Sequence, residues 1–271
     1  MTNDAYLDLF KKTLTAYVFP ESADHPLEAG AGLSPKSLIK RAAIKLAGAA
    51  GWRLVKPGKF DESERIDGRD WPSLAYTMVG LKRLDNVQMA IETVLKENIS
   101  GDVVECGVWR GGCAIFMKAV LKSHEDATRN VWCADSFEGL PKPDAKFPAD
   151  KDYDISDIDY LSVPLDRVKQ NFRRFDLLDD RVKFLKGWFK DTLPTAPIDK
   201  ISILRADGDL YESTMQILDH LYSKVSPGGF VIIDDYRNWP PCKAAVTEFR
   251  AKKKVTSPIV DIDWCSVYWR V

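Results

Sequence analysis

The sequence predicts an α/β fold: a doubly wound, mostly parallel seven-stranded sheet with an antiparallel C-terminal hairpin and a helical N-terminal extension. Three observations carry this. Short apolar runs at 103–106, 131–134, 182–185, 201–204 and 230–233 alternate with helical stretches, the pattern of parallel strands joined by crossover helices. Two late runs, 259–262 and 266–271, are separated only by Asp263, Trp264 and Cys265, too little chain for a crossover, so they pair antiparallel at a sheet edge. Two of the runs lead into acid, Asp207-Gly208-Asp209 and Asp234-Asp235, and parallel strands bring their carboxyl ends to the one edge where ligands bind.

Taken in order, the chain divides near residue 100. Residues 1–100 read as a helical extension, with apolar spacing at Tyr6, Phe10 and Leu14, at Leu38, Ile44 and Leu46, and through Leu81, Leu84, Val87, Ile91, Val94 and Leu95. Pro20, Pro26, Pro35, Pro57, Gly30 and Gly32 interrupt it. Residues 101–271 form the sheet domain. The first strand runs into Glu105-Cys106-Gly107-Val108-Trp109-Arg110-Gly111-Gly112, where glycines allow a sharp turn and close approach of a ligand to the backbone. This spacing departs from the Gly-x-Gly-x-x-Gly dinucleotide fingerprint. The second strand ends at Asp135, placed to accept hydrogen bonds from ribose hydroxyls, and the third at Gly187-Trp188-Phe189, where aromatic surface could border an adenine ring. The polar stretch 141–160 is long for a connection and is expected to act as a lid.

Composition removes other classes. The 271 residues carry 39 basic and 40 acidic side chains, a net charge of -1, so nothing argues for nucleic acid or an anionic membrane surface. The five cysteines are odd in number and dispersed, and read as reduced core residues of a cytoplasmic protein. No signal peptide or membrane span is evident. His25, His124 and His220 have no spacing that suggests a metal site.

The four aspartates are the main chemical clue. Brought to one edge, they repel one another unless a cation neutralises them, and oxygen-only ligands suit magnesium, calcium or manganese rather than zinc. A lone Asp-Gly-Asp is as readily a turn or a helix cap. Two acidic runs at matching strand ends favour a site. Gly107, Gly111 and Gly112 could equally serve strand–helix packing, and Trp188, Phe189 and Met78 could be core.

The segments 105–112, 134–141, 205–214 and 233–236, in this order and preceded by 75–86, resemble the macrocin O-methyltransferase (TylF-type) family of class I S-adenosylmethionine-dependent methyltransferases, over roughly residues 60–270. The resemblance implies a Rossmann-like fold and magnesium-dependent methylation of a sugar hydroxyl on a natural product, as in antibiotic biosynthesis. It implies Asp207, Asp234 and Asp235 as metal ligands and Asp209 as the general base. Thr77, Met78, Glu105, Gly107, Val108, Arg110, Asp135, Ser136, Phe137, Gly187 and Trp188 would form the S-adenosylmethionine site. Partners would be a small hydroxylated, glycosylated substrate and a second copy of the chain, in a homodimer or dimer-based oligomer. The residues leave three other readings open: a catechol-type O-methyltransferase, an NAD-dependent oxidoreductase, and a nonenzymatic binding module.

Overall fold

The computed structural model describes residues 4–19, 25–27, 34–52, 54–56 and 58–271. The breakers Pro20, Gly30, Gly32 and Pro57 lie outside them. Helices α1 (Asp4–Leu14), α2 (Pro35–Ala49), α3 (Glu62–Asp67) and α4 (Leu81–Lys96) occupy the N-terminal part, with a two-residue antiparallel pair, β1 (His25–Pro26) and β2 (Val55–Lys56). Then follow β3 (Asp102–Cys106), α5 (Gly112–Ser123), β4 (Val131–Asp135), α6 (Leu165–Arg174), β5 (Val182–Lys186), α7 (Phe189–Thr192), β6 (Ile201–Ala206), α8 (Tyr211–Leu221), β7 (Val225–Ile233), α9 (Pro240–Lys253), β8 (Val260–Asp261) and β9 (Val267–Arg270).

The strand order of the main sheet is β5-β4-β3-β6-β7-β9-β8, seven strands as expected. The five from β5 to β7 are parallel, and β9 pairs antiparallel with both β7 and β8, so the C-terminal hairpin occupies the edge. The direction of winding reverses between β3 and β6, the switch point at which open α/β sheets form a crevice.

Alternation along the strands divides the core in two. Val103, Val131, Ile203, Phe230 and Ile232 face a layer made by α1, α4, α5 and α6, through Leu14, Leu84, Ile91, Phe116 and Phe172. Val104, Trp132, Leu204, Val231 and Trp269 face α8 and α9, through Ile217, Leu221, Val246 and Phe249. Each fully buried side chain of this size contributes about 1.5–3 kcal/mol of transfer free energy, which makes the sheet a stiff platform for its edge. Helices α1 and α4, from before residue 100, belong to this core.

Two elements differ from the sequence reading. Strand β7 begins at Val225, five residues before the apolar run, and its register on β6 shifts between Ile201 and Ile203. Helix α2 buries none of its residues: Leu38, Ile39 and Leu46 are 51%, 71% and 71% exposed. No helix among the described residues is long and apolar enough to cross a membrane.

Candidate active site

Ladder hydrogen bonds at the carboxyl edge continue one residue past the central strands. Asp207 N–H donates to Cys106 C=O at 2.9 Å and Asp234 N–H to Ala206 C=O at 3.0 Å, which sets the two acidic runs side by side. Gly107 crosses this edge at φ 82°, and a Cβ there would stand 1.9 Å from the Asp207 carbonyl oxygen, so only glycine fits. Asp209 also holds a left-handed φ of 50°, a conformation that costs about 1 kcal/mol or more in a residue other than glycine and collects at functional sites.

Asp207, Asp234 and Asp235 each present an oxygen to a common point, all within 4.8 Å of one another. Two buried arginines frame them. Arg205 donates to Glu105 at 2.9 Å, to Asp207 at 3.0 Å and to Asp234. Arg83, from α4, donates to Asp234 and to Asp263, both at 2.7 Å. Six carboxyls, counting Asp209, therefore share two guanidiniums.

The titration behaviour follows this imbalance. Burial, then the charges of Asp207 and Asp234, pushes Asp209 up to about 8. Burial and Asp234 push Asp207 up to about 6 against the pull of Arg205. Burial and its three acidic neighbours raise Asp235 well above the ordinary range. Asp234 goes the other way, because Arg205 and Arg83 outweigh its burial and hold it below the usual value. Burial lifts Glu105 to about 7 although Arg205 is in contact.

The cluster fits a hard divalent cation. Its donors are all carboxylate oxygens, the type magnesium and calcium take. Asp235 Oδ2 is buried with no hydrogen-bond partner, an arrangement that costs about 1–3 kcal/mol unless something accepts its lone pairs.

Beside the cluster lies a crevice of about 300 Å³. Of the residues singled out from sequence, Met78, Gly107, Asp135, Ser136, Trp188, Phe189, Asp207 and Asp209 line it. The others do not reach it. Glu105 lies beneath, 1% exposed and paired with Arg205. Thr77 is buried and accepts the Val79 N–H. Arg110 turns away, donating to the carbonyls of Ser73 and Ala75 with its guanidinium over the Trp109 ring. Phe137 is core, packed on Phe184. Val108 and Gly187 take part through the backbone: Val108 N–H donates to Asp135 Oδ2 at 2.7 Å and Gly187 N–H to the Asp135 carbonyl at 2.9 Å. Asp135 thus ties together the turns after β3, β4 and β5, its other oxygen taking Phe137 N–H at 2.6 Å. Burial raises its pKa despite these bonds.

Lys142 and Asp144, from the expected lid, also line the crevice, while sequence reasoning gave no site role to Trp109, Leu140, Leu161 and Lys190, or to Glu212, Ser213 and Gln216 of α8. Their only sequence sign is position just after a strand or within the long polar connection. The structural partners Arg83, inside α4, and Asp263, in the hairpin turn between β8 and β9, were missed as well.

A parallel sheet with an antiparallel strand inserted before its edge, and a crevice at the switch point carrying acidic strand ends, defines a class I methyltransferase. The family described as Macrocin-O-methyltransferase (TylF) matches residues 3–271, and the chain belongs to it. It is 47% identical over 275 residues to the 8-demethyl-8-(2,3-dimethoxy-alpha-L-rhamnosyl)-tetracenomycin-C 4'-O-methyltransferase of Streptomyces olivaceus, covering 100% of this chain and 95% of that protein. It is 41% identical over 271 residues to the mycinamicin III 3''-O-methyltransferase of Micromonospora griseorubida, covering 98% and 96%. The solved structure of the O-methyltransferase NovP superposes with a TM-score of 0.85 at 42% identity, covering 99% and 98%. The chain is an S-adenosylmethionine-dependent O-methyltransferase.

Proposed function

We propose that this enzyme methylates a sugar hydroxyl on a small glycosylated natural product, with magnesium held by Asp207, Asp234 and Asp235 and with Asp209 as general base. The curated relatives support the acceptor class, since one is named for a rhamnosyl-tetracenomycin. The observation that carries the metal reading is the convergence of three carboxylates, one oxygen of each within 4.8 Å of the others, in a cluster where Asp235 Oδ2 is buried without a hydrogen-bond partner. A cation bound there supplies Lewis-acid polarisation and orientation of the acceptor oxygens.

The chain's own residues supply the rest. Asp209 lines the crevice with Asp207, and takes the hydroxyl proton as the new O–CH3 bond forms and the S–CH3 bond breaks. Gly107 brings backbone close to the donor, and Asp135 fixes the three turns around it. Trp188 and Phe189 give the crevice an apolar wall that displaces water from the donor. The N-terminal 100 residues are proposed to build the contact between two copies, supported by the apolar residues that α2 exposes.

Calorimetric titration of S-adenosylhomocysteine, first in EDTA and then in excess magnesium, tests the reading. Binding is expected in both states, with methylation of glycosylated acceptors in the second alone. No binding in either state overturns the donor assignment, and full turnover in EDTA overturns the metal assignment.

A further inference from the structure

The connection between β4 and α6 forms one wall of the crevice, through Leu140, Lys142, Asp144 and Leu161, and the first turns of α8 form another, through Glu212 and Ser213. Asp150 ties the two walls together by hydrogen bonds. Asp150 ends a short 3-10 turn, Pro148–Asp150, and is completely buried although it lies in the most polar segment of the chain. Its Oδ1 accepts Tyr211 N–H at 2.6 Å and its Oδ2 accepts Glu212 N–H at 3.0 Å. These are the first two N–H groups of α8, and Leu210, the residue at the cap position, offers no side-chain bond to them. A helix of eleven residues is therefore capped by a carboxylate 61 positions away in sequence.

The chemistry favours a specific attachment. The leading N–H groups of a helix carry no internal partner and point outward, and the helix dipole favours a negative charge there. One carboxylate answering two N–H donors is a charge-assisted, two-point contact that fixes both position and angle. The neighbouring contacts are weaker and less directional: the Phe147 ring lies 6.0 Å from Tyr211, and Tyr153 meets the edge of Trp239 at 5.3 Å. At its far end the segment is held by Tyr160, whose hydroxyl donates to Pro72 C=O and whose carbonyl accepts from Trp109, both at 2.8 Å. Asp150 itself does not line the crevice.

We propose that Asp150 is a positioning residue: it docks residues 141–161 onto the start of α8 and so sets the shape of the crevice beside Asp207 and Asp209. The proposal rests on the assignment of this crevice to the methyl donor. Wild-type binding of S-adenosylhomocysteine tests that assignment separately.

Asp150→Ala removes both bonds, and Asp150→Asn keeps the size while losing the charge and one acceptor. Trypsin acts at the exposed Lys146 and Lys151, on either side of the attachment. Without ligand, cleavage there is expected to speed up by about tenfold or more in D150A, with D150N intermediate, as a lost charged cap implies. The Kd for S-adenosylhomocysteine is expected to rise by about tenfold in D150A and less in D150N. A residue that merely caps α8 would lower the melting temperature and leave both the cleavage rate and the Kd unchanged. That result in D150A, or in D150N should D150A fail to fold, overturns the proposal.

Discussion

Replacing Asp209 by Asn tests catalysis and electrostatics in one variant. Asparagine matches aspartate in size and tolerates the left-handed φ of 50° at this position, so backbone strain is preserved while the charge is removed. In its proposed role of general base, Asp209 is expected to account for roughly a 10²–10⁴-fold effect on turnover, about 3–5 kcal/mol of barrier. Its effect on stability has the opposite sign. A carboxyl raised from 3.8 to about 8 binds its proton more tightly in the folded chain. That preference is present in full below the unfolded value and is lost as pH rises through about 8, so the metal-free wild type weakens over this window. At pH 7 the loss has a ceiling of about 4 kcal/mol, reduced by whatever the partly open side chain shares with water. D209N lacks the titration, and its advantage over wild type should grow from pH 4 to pH 8 and then level off. Urea unfolding in EDTA across that range measures this, and calorimetry with S-adenosylhomocysteine checks that donor affinity stays within about twofold. An unchanged turnover, or a stability difference independent of pH, would refute the reasoning.

Two further outcomes are expected. Arg83→Met should destabilise the protein by about 3–5 kcal/mol, because it leaves the buried Asp234 and Asp263 each short of a guanidinium; a loss below about 1 kcal/mol in urea unfolding, at unchanged m-value, would show that the pairs are dispensable. Light scattering should give the mass of a dimer or a multiple of it, and Leu38→Glu with Ile39→Glu should shift it toward monomer; a monomeric wild type removes the proposed role of α2.

The parts of the fold that could be read in the sequence were those fixed by local pattern. Apolar runs located all seven sheet strands, β7 by its C-terminal half only, and three residues between the last two runs required a hairpin. Asp207 and Asp234 could be placed together because strand ends in a parallel sheet share an edge. What escaped depends on partners far away in the chain. Asp150 looked like one more acid in a polar loop, and only its bonds to Tyr211 and Glu212 make it distinct. Arg110, at the glycine-rich turn, could have faced either side of that turn; the carbonyls of Ser73 and Ala75 decided which. The amphipathic spacing in α2 is sound for a helix, but what covers its apolar side is not set by spacing. One missed partner did leave a trace. Arg205 interrupts the apolar run 201–206, and a charge inside a fully buried strand requires a buried counter-charge, here Glu105 and Asp234.

The ion-pair frame around the aspartates also has a kinetic meaning. Arg83 meets Asp263 across 180 positions and Asp234 across 151, and Arg205 meets Glu105 across 100. Closing loops of such length costs entropy, so these bonds are expected to form on the native side of the folding barrier. Interactions formed after the transition state leave the folding rate almost unchanged and slow unfolding instead. The frame that holds the aspartates in place is therefore expected to act as a brake on opening as well, lengthening the lifetime of the folded enzyme.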